Sequence, residues 1–113
     1  MSGDSQYKRG DVFWVNLDPT QGTETKKTRP AVLLSNNLFN KYLPRVIVAP
    51  ITSNVSKIFE FEAFVSVAGK EGKVMLDQTR SVDKGRLGKK ICSLTEEEIR
   101  AIEIALKLAL ELN

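Results

Sequence analysis

Up to Ser93 the chain is written in short apolar runs broken by polar stretches, and after it the rhythm changes. Val12 to Leu17, Ala31 to Ser35, Val46 to Ile51, Phe59 to Val67, Val74 to Asp77 and Lys90 to Ser93 are short apolar-bearing runs that each predict a strand, the first of them rich in β-branched and aromatic residues. The longest alternates. Phe59, Phe61, Ala63, Val65 and Val67 fall on one face and Glu60, Glu62, Phe64 and Ser66 on the other, so one face is core and the other meets solvent or a partner. Ala68-Gly69-Lys70-Glu71-Gly72 is a tight connection whose glycines admit positive φ, which predicts a hairpin between the strands on either side. Short strands at close spacing with turn signals predict a mainly β fold, a small antiparallel barrel.

The last element is helical. Thr95-Glu96-Glu97-Glu98 forms a capping box, and its three acids suit the positive end of a helix dipole, predicting a helix from Glu96 to about Leu112. At about 100° per residue, Ile99, Ile102, Leu106, Ala109 and Leu110 share one side, and Ala101, Ile104, Leu108 and Leu112 lie roughly opposite. Only the strip of Arg100, Glu103, Lys107 and Glu111 is polar. So wide an apolar arc must be covered from two directions; the second cover is most economically another subunit, the alternative being a helix lodged deep inside its own fold, for which a domain this small has little material.

Composition narrows the chemistry. At 113 residues the chain fits one domain, expected over residues 8–113, with residues 1–7 as a flexible tail. Lys and Arg number 17 against 14 Asp and Glu, a mildly basic balance that permits a polyanion partner without demanding one. Cys92 is the only cysteine and reads as a small buried hydrophobe, which excludes an internal disulfide or thiolate metal cluster. No apolar run reaches membrane-spanning length and Met1 to Gln6 lacks a signal-peptide core, so a cytoplasmic location is expected. Histidine is absent, which removes the usual general base, general acid and metal ligand together. Any catalysis must run on carboxylates, Arg, Lys or hydroxyls, and no cofactor is expected.

The stretch from Arg9 to Asn37 carries the strongest signal. After the first strand, Asp18-Pro19 starts a turn, and Thr20 to Thr28 is polar before Arg29 leads through Pro30 into Ala31-Val32-Leu33-Leu34. Arg29 thus stands at the root of a loop on a rigid edge. The block RGDVFWVNLDPTQGTE, then TRPAVLLSNN, VIVAPITS and LDQTRSVDKGRL, resembles the MazF/PemK family of toxin endoribonucleases from bacterial toxin-antitoxin pairs, from about Lys8 to the C-terminus. The resemblance implies an SH3-like barrel with a C-terminal helix, working as a homodimer. It also implies cleavage of single-stranded RNA at a short sequence without metal, giving a 2′,3′-cyclic phosphate and a 5′-hydroxyl. A cognate antitoxin with an acidic, partly disordered tail would silence it.

Such cleavage needs a 2′-oxygen to attack the adjacent phosphorus while charge builds on the phosphoryl oxygens. Guanidinium, planar and permanently charged, suits that charge, and Pro30 restricts Arg29 to extended backbone. Taken alone Arg29 also fits a surface arginine paired with Glu24 or Asp18; the family's catalytic arginine matches it. Thr52, after the apolar run Val46 to Ile51, can donate to a phosphoryl oxygen or cap the following turn. The family's catalytic threonine corresponds to it, with Ser53 beside it contacting phosphate. Glu24 and Asp77 are the candidate proton carriers, each also readable as a solvated charge or a hydrogen-bonding strut. Some members use an arginine two residues before the LDQ-type aspartate and a histidine before the loop glutamate; here Met75 and Thr23 stand there, so Arg29 and Thr52 carry the expectation.

Substrate contacts are expected from Thr23, Lys26, Lys27 and Thr28 in the loop, from Gln78 and Arg80 in DQTRS, and from Phe59 and Phe64 as stacking rings. The alternative is a CcdB-like toxin of the same fold that binds gyrase without catalysis, through a C-terminal aromatic-Gly-Ile tail. This chain ends Leu110-Glu111-Leu112-Asn113 and keeps Arg29 and Thr52. An SH3-like adaptor ranks last, because the strands supply no row of aromatics along one groove.

Overall fold

Val12, Phe13 and Val15 are buried and only Trp14 between them is exposed, because the strand that holds them packs an apolar cluster on each face. A computed structural model describes residues 6–17 and 28–113. Seven strands are present: β1 (Asp11–Asn16), β2 (Thr28–Leu33), β3 (Arg45–Thr52), β4 (Glu62–Val67), β5 (Lys70–Met75), β6 (Arg80–Asp83) and β7 (Leu87–Ser93). They form one antiparallel sheet in the order β4-β5-β3-β2-β1-β7, with β6 also on β3, curled into a half-barrel. A short helix α1 (Asn37–Tyr42) precedes β3, and α2 (Glu96–Leu110) closes the chain.

Neighbouring side chains in β1 to β3 alternate between two apolar clusters. Val12, Val32, Ala49 and Ile51 join Ala63, Val65, Val74 and the α2 residues Ile102 and Ala105. Phe13, Val15, Ala31, Leu33, Val46 and Val48 join Val82 on the other face. Most of these are fully buried, each worth roughly 2 kcal/mol of apolar transfer, and together they make β2 and β3 a rigid platform. Tyr7 packs its ring on Phe13 at 5.4 Å between centroids, so the fold takes in a residue expected in the tail.

The predicted hairpin forms as the β4–β5 pair, turning at Ala68 and Gly69, which both hold positive φ (50° and 86°). Gly72 serves a different purpose from the one expected: it lies inside β5, where an added Cβ would stand 2.9 Å from Ile51 Cγ2. It lets β5 approach β3 closely beside Thr52. The alternation of the fourth predicted strand holds at Ala63 and Val65, buried, and Phe64, 49% exposed. The strand begins only at Glu62, however, so Phe59 lies outside it, exposed and stacked flat on Phe61 at 5.3 Å.

Two elements were not expected. Helix α1 starts where Asn36 accepts from the Phe39 N–H at 2.7 Å and stops before Pro44, and the fully buried Asn40 ties it to Ser35. Strand β6 is short and buries only Val82, too little apolar signal to read from sequence. The capping box of α2 forms as predicted, with Thr95 Oγ1 accepting from Glu98 N–H and Glu98 accepting from Thr95 N–H. The helix ends at Leu110 because Glu111 turns left-handed and Leu112 N–H bonds back to Lys107, short of the expected Leu112. One side of α2 packs on the sheet through Ile102 and Ala105, whereas Ile104, Leu108 and Leu110 stay more than half exposed.

Candidate active site

Strand register decides which candidate residues meet. β2 pairs with β3 through Ala31 and Pro50, and the same register continued two residues along sets Arg29 beside Thr52. Thr52 pairs in turn with Lys73 of β5, and Lys73 with Phe64 of β4, while Arg29 pairs with Val15 of β1 on its other side. Directly paired residues share a face. Phe64, Lys73 and Thr52 therefore form one transverse row across three strands, and Arg29, two residues beyond the last β2–β3 pair, lines the same clefts as Thr52.

Two clefts meet at this row. One, of about 400 Å³, is mainly apolar and lined by Trp14, Pro30, Ile51, Val67 and Ile91, with Ser53, Lys70 and Glu71 at its polar margin. The other, of about 510 Å³, is lined by Leu17, Pro50, Met75, Gln78 and Arg80 and is mainly polar. Arg29 and Thr52 line both and form the ridge between them. A group seated on that ridge touches both side chains and can extend into either cleft.

The electrostatics of the ridge leave it open to a ligand. Arg29 is exposed, and among the described residues no carboxylate or hydrogen-bond acceptor meets its guanidinium. Thr52 Oγ1 accepts from the Asn54 N–H at 3.2 Å, so it does cap the following turn. A hydroxyl that accepts there still has its proton to donate. The two readings of Thr52 are compatible, and the cap fixes the oxygen beside Arg29. Arg80 Nη1 donates to the Leu17 carbonyl at 2.9 Å and Arg86 Nη1 to the Asn16 carbonyl at 3.1 Å, which anchors the exit of β1 at the cleft wall.

Lys73, at the far side of Thr52, is in the opposite condition. Its ammonium lies 2.9 Å from Glu62 Oε1 and 2.6 Å from the Lys57 carbonyl, with both side chains of the pair nearly buried. Burial pushes the Glu62 carboxyl up, but the Phe59 N–H and the Lys73 ammonium outweigh it and hold the group below its ordinary value.

Of the predicted site residues, Arg29, Thr52, Ser53, Gln78 and Arg80 line the clefts. Phe64 is in the transverse row, and the Phe59 ring stands 5.8 Å from Lys73 Nζ. Thr28 opens β2, exposed and paired with Asn16. Asp77 was expected at a strand end and instead sits exposed in a 3-10 turn over Leu76–Gln78; its neighbours Met75 and Gln78 line the polar cleft and Asp77 does not. Thr23, Glu24, Lys26 and Lys27 lie outside the described residues. Sequence reasoning missed Trp14 and Lys73. Trp14 is 43% exposed within an otherwise buried strand, and that one residue out of phase with Phe13 and Val15 was the available signal.

Comparison with known proteins fits this geometry. The family model describing PemK-like, MazF-like toxins of type II toxin-antitoxin systems matches residues 8–110. This chain belongs to the PemK/MazF toxin family. The Endoribonuclease MazF of Staphylococcus epidermidis is 38% identical over 111 residues, covering 94% of this chain and 92% of that protein. The crystal structure of MazF from Deinococcus radiodurans superposes with a TM-score of 0.77 at 26% identity, covering 93% of this chain and 96% of that one. A mycobacterial endoribonuclease solved in complex with its cognate antitoxin shares the fold, with a TM-score of 0.78 at 24% identity over 94% and 96% of the two chains. The MazF-like half-barrel with its C-terminal helix is therefore the architecture that carries the Arg29–Thr52 ridge.

Proposed function

We propose that this protein is the endoribonuclease toxin of a toxin-antitoxin pair, cutting single-stranded RNA at a short sequence without a metal ion, in the cytoplasm. The observation that carries the reading is an exposed arginine with no partner among the described residues beside a threonine hydroxyl on two rigid strands, at the meeting of two clefts. The Endoribonuclease MazF of Staphylococcus epidermidis, at 38% identity, supports it.

In this mechanism the scissile phosphate sits on the ridge. The 2′-oxygen attacks phosphorus, the new O2′–P bond forms as the P–O5′ bond breaks, and the products are a 2′,3′-cyclic phosphate and a 5′-hydroxyl. Arg29 donates paired bonds to the phosphoryl oxygens, and Thr52 donates a third, so the growing negative charge meets donors already in place. Ser53 holds phosphate beside them. The 2′-hydroxyl proton passes to a carboxylate, Glu24 rather than Asp77, which lies off the cleft, and the departing 5′-oxygen takes a proton from solvent. Phe64 stacks a base further along the row, and Thr23, Lys26, Lys27, Thr28, Gln78 and Arg80 hold backbone or base edges.

The half-exposed Ile104, Leu108 and Leu110 of α2 suit cover by a second copy, which makes the working unit a homodimer. A cognate antitoxin with an acidic, disordered tail lies over the RNA groove, where it meets the same cations. The test is cleavage of a defined single-stranded RNA in excess chelator, with the ends of the fragments mapped. Cyclic phosphate and 5′-hydroxyl ends support the reading. Intact RNA, or loss of cleavage on chelation, rejects it, and gyrase inhibition without RNA cleavage would favour the CcdB-like alternative.

A further inference from the structure

Residues 53–61 join β3 to β4 without any regular element, yet they begin beside Thr52 and carry the exposed Phe59. Something other than a backbone ladder must hold them. Turn bonds around Asn54 hold their start and the Glu62 N–H to Phe59 carbonyl bond at 2.9 Å closes their end, while the side-chain contacts in between converge on one ion pair. Lys73 Nζ reaches the Lys57 carbonyl at 2.6 Å, and Glu62 Oε1 accepts both from Lys73 at 2.9 Å and from the Phe59 N–H at 2.8 Å. The Phe59 ring stands 5.8 Å from the same ammonium and stacks on Phe61, with Lys57 Nζ on it at 4.9 Å. One carboxylate of β4 and one ammonium of β5 thus fasten the two ends of the 57–59 stretch to the hairpin.

The position of the fastening matters as much as its strength. Lys73 is the cross-strand partner of Thr52 on one side and of Phe64 on the other. A carboxylate and a carbonyl take two of the three Lys73 donors, the Phe59 ring stands over the ammonium, and the side chain is only 11% exposed, so Lys73 is poorly placed to meet a phosphate. A nearly buried ion pair is a weak source of stability in itself, since desolvation offsets much of the attraction. Its effect here is to select one conformation. We infer that the Glu62–Lys73 pair is a positioning device for substrate recognition, fixing the Phe59 ring at a set distance from Thr52 so that it grips the base of a nucleotide neighbouring the scissile phosphate.

This inference rests on the proposed RNA cleavage and specifies which residues set its sequence preference. Lys73 and Glu62 touch no substrate and act through Phe59. Loss of the pair therefore weakens and blurs binding and leaves the chemical step alone.

The experiment measures kcat, KM and cut-site preference on a randomised RNA pool for wild type, Lys73→Met, Lys73→Arg, Glu62→Gln, Phe59→Ala and Arg29→Ala, with a thermal melt for each. Lys73→Met and Glu62→Gln should raise KM ~5- to 10-fold with kcat within ~2-fold and flatten the preference at one flanking nucleotide. Lys73→Arg should restore most of that preference. Phe59→Ala, on an exposed ring that leaves the core intact, should flatten the same position, and adding it to Lys73→Met should flatten it no further. Unchanged preference in Phe59→Ala, or in a folded Lys73→Met, overturns the inference even when Arg29→Ala abolishes cleavage. A fall in kcat at constant KM overturns it too. If wild type cuts no RNA, the proposed function itself fails, which is a separate and visible outcome.

Discussion

Two cations on the strands either side of Thr52 have opposite surroundings. Arg29, on the β2 side, is exposed and free of partners among the described residues. Lys73, on the β5 side, is engaged by a carboxylate, a carbonyl and an aromatic face. The difference separates two uses of positive charge. A cation left unsatisfied on a rigid edge is held ready for an incoming anion, whereas a satisfied and nearly buried one defines shape. Under the proposed function, chemistry would belong to the Arg29 side and recognition to the Lys73 side.

Substitutions at the open end should have the largest effects. Arg29→Ala is expected to lower kcat ~100- to 1000-fold, the usual cost of removing one preorganised charge-stabilising donor. Arg29→Lys should recover only part, since it keeps the charge and loses the fork. Single-turnover cleavage of a defined RNA checks both. Thr52→Ala should cost ~10- to 100-fold in the same assay, in the range of one hydrogen bond to a charged group. Thr52→Ser, which keeps the hydroxyl, should recover most of it. Near-wild-type rates for Thr52→Ala would leave the residue with only its turn-capping bond.

At the far end the effects should be smaller and of another kind. Phe64→Ala is expected to raise KM ~5-fold or more through a lost base stack, without a matching fall in kcat. Equal loss in both would move the ring into the chemical step. The smallest effect is on stability. The folded-state pKa of Glu62 is lowered, so its contribution is present above the ordinary glutamate value and is lost as pH falls through the folded-state value. The melting temperature of wild type should exceed that of Glu62→Gln near neutrality, and the gap should close as acidification carries the carboxyl through its lowered folded-state value. A gap that stays constant through that acidification would mean that packing rather than charge holds the pair.

Much of this arrangement was legible in the sequence where local chemistry decides it. The capping box at Thr95, the alternation through Ala63, Phe64 and Val65, and the Gly69 turn all formed where the residues pointed. Arg29 was readable as a rigidly held cation because Pro30 fixes its backbone, and Thr52 because it ends an apolar run. What escaped depends on register between distant strands. Nothing in spacing says that Lys73 lies across from Thr52, or that Gly72 must be small for Ile51 to fit. Helix α1 and strand β6 escaped for a simpler reason: one is short and capped by Asn36, the other buries only Val82, and neither is long enough to show a period. Asp77 was placed on a strand because Val74 and Leu76 are apolar, but the chain tightens into a 3-10 turn after Met75 and moves the carboxylate off the cleft.

The central claim is that Arg29 and Thr52 act together on one phosphate, and a double-mutant cycle on single-turnover RNA cleavage reads it directly. With Arg29→Ala, Thr52→Ala and the combined variant all folded, joint action predicts that the combined loss is well short of the product of the two single losses. If the two factors simply multiply, the residues work at separate places and the shared ridge is not the site of cleavage.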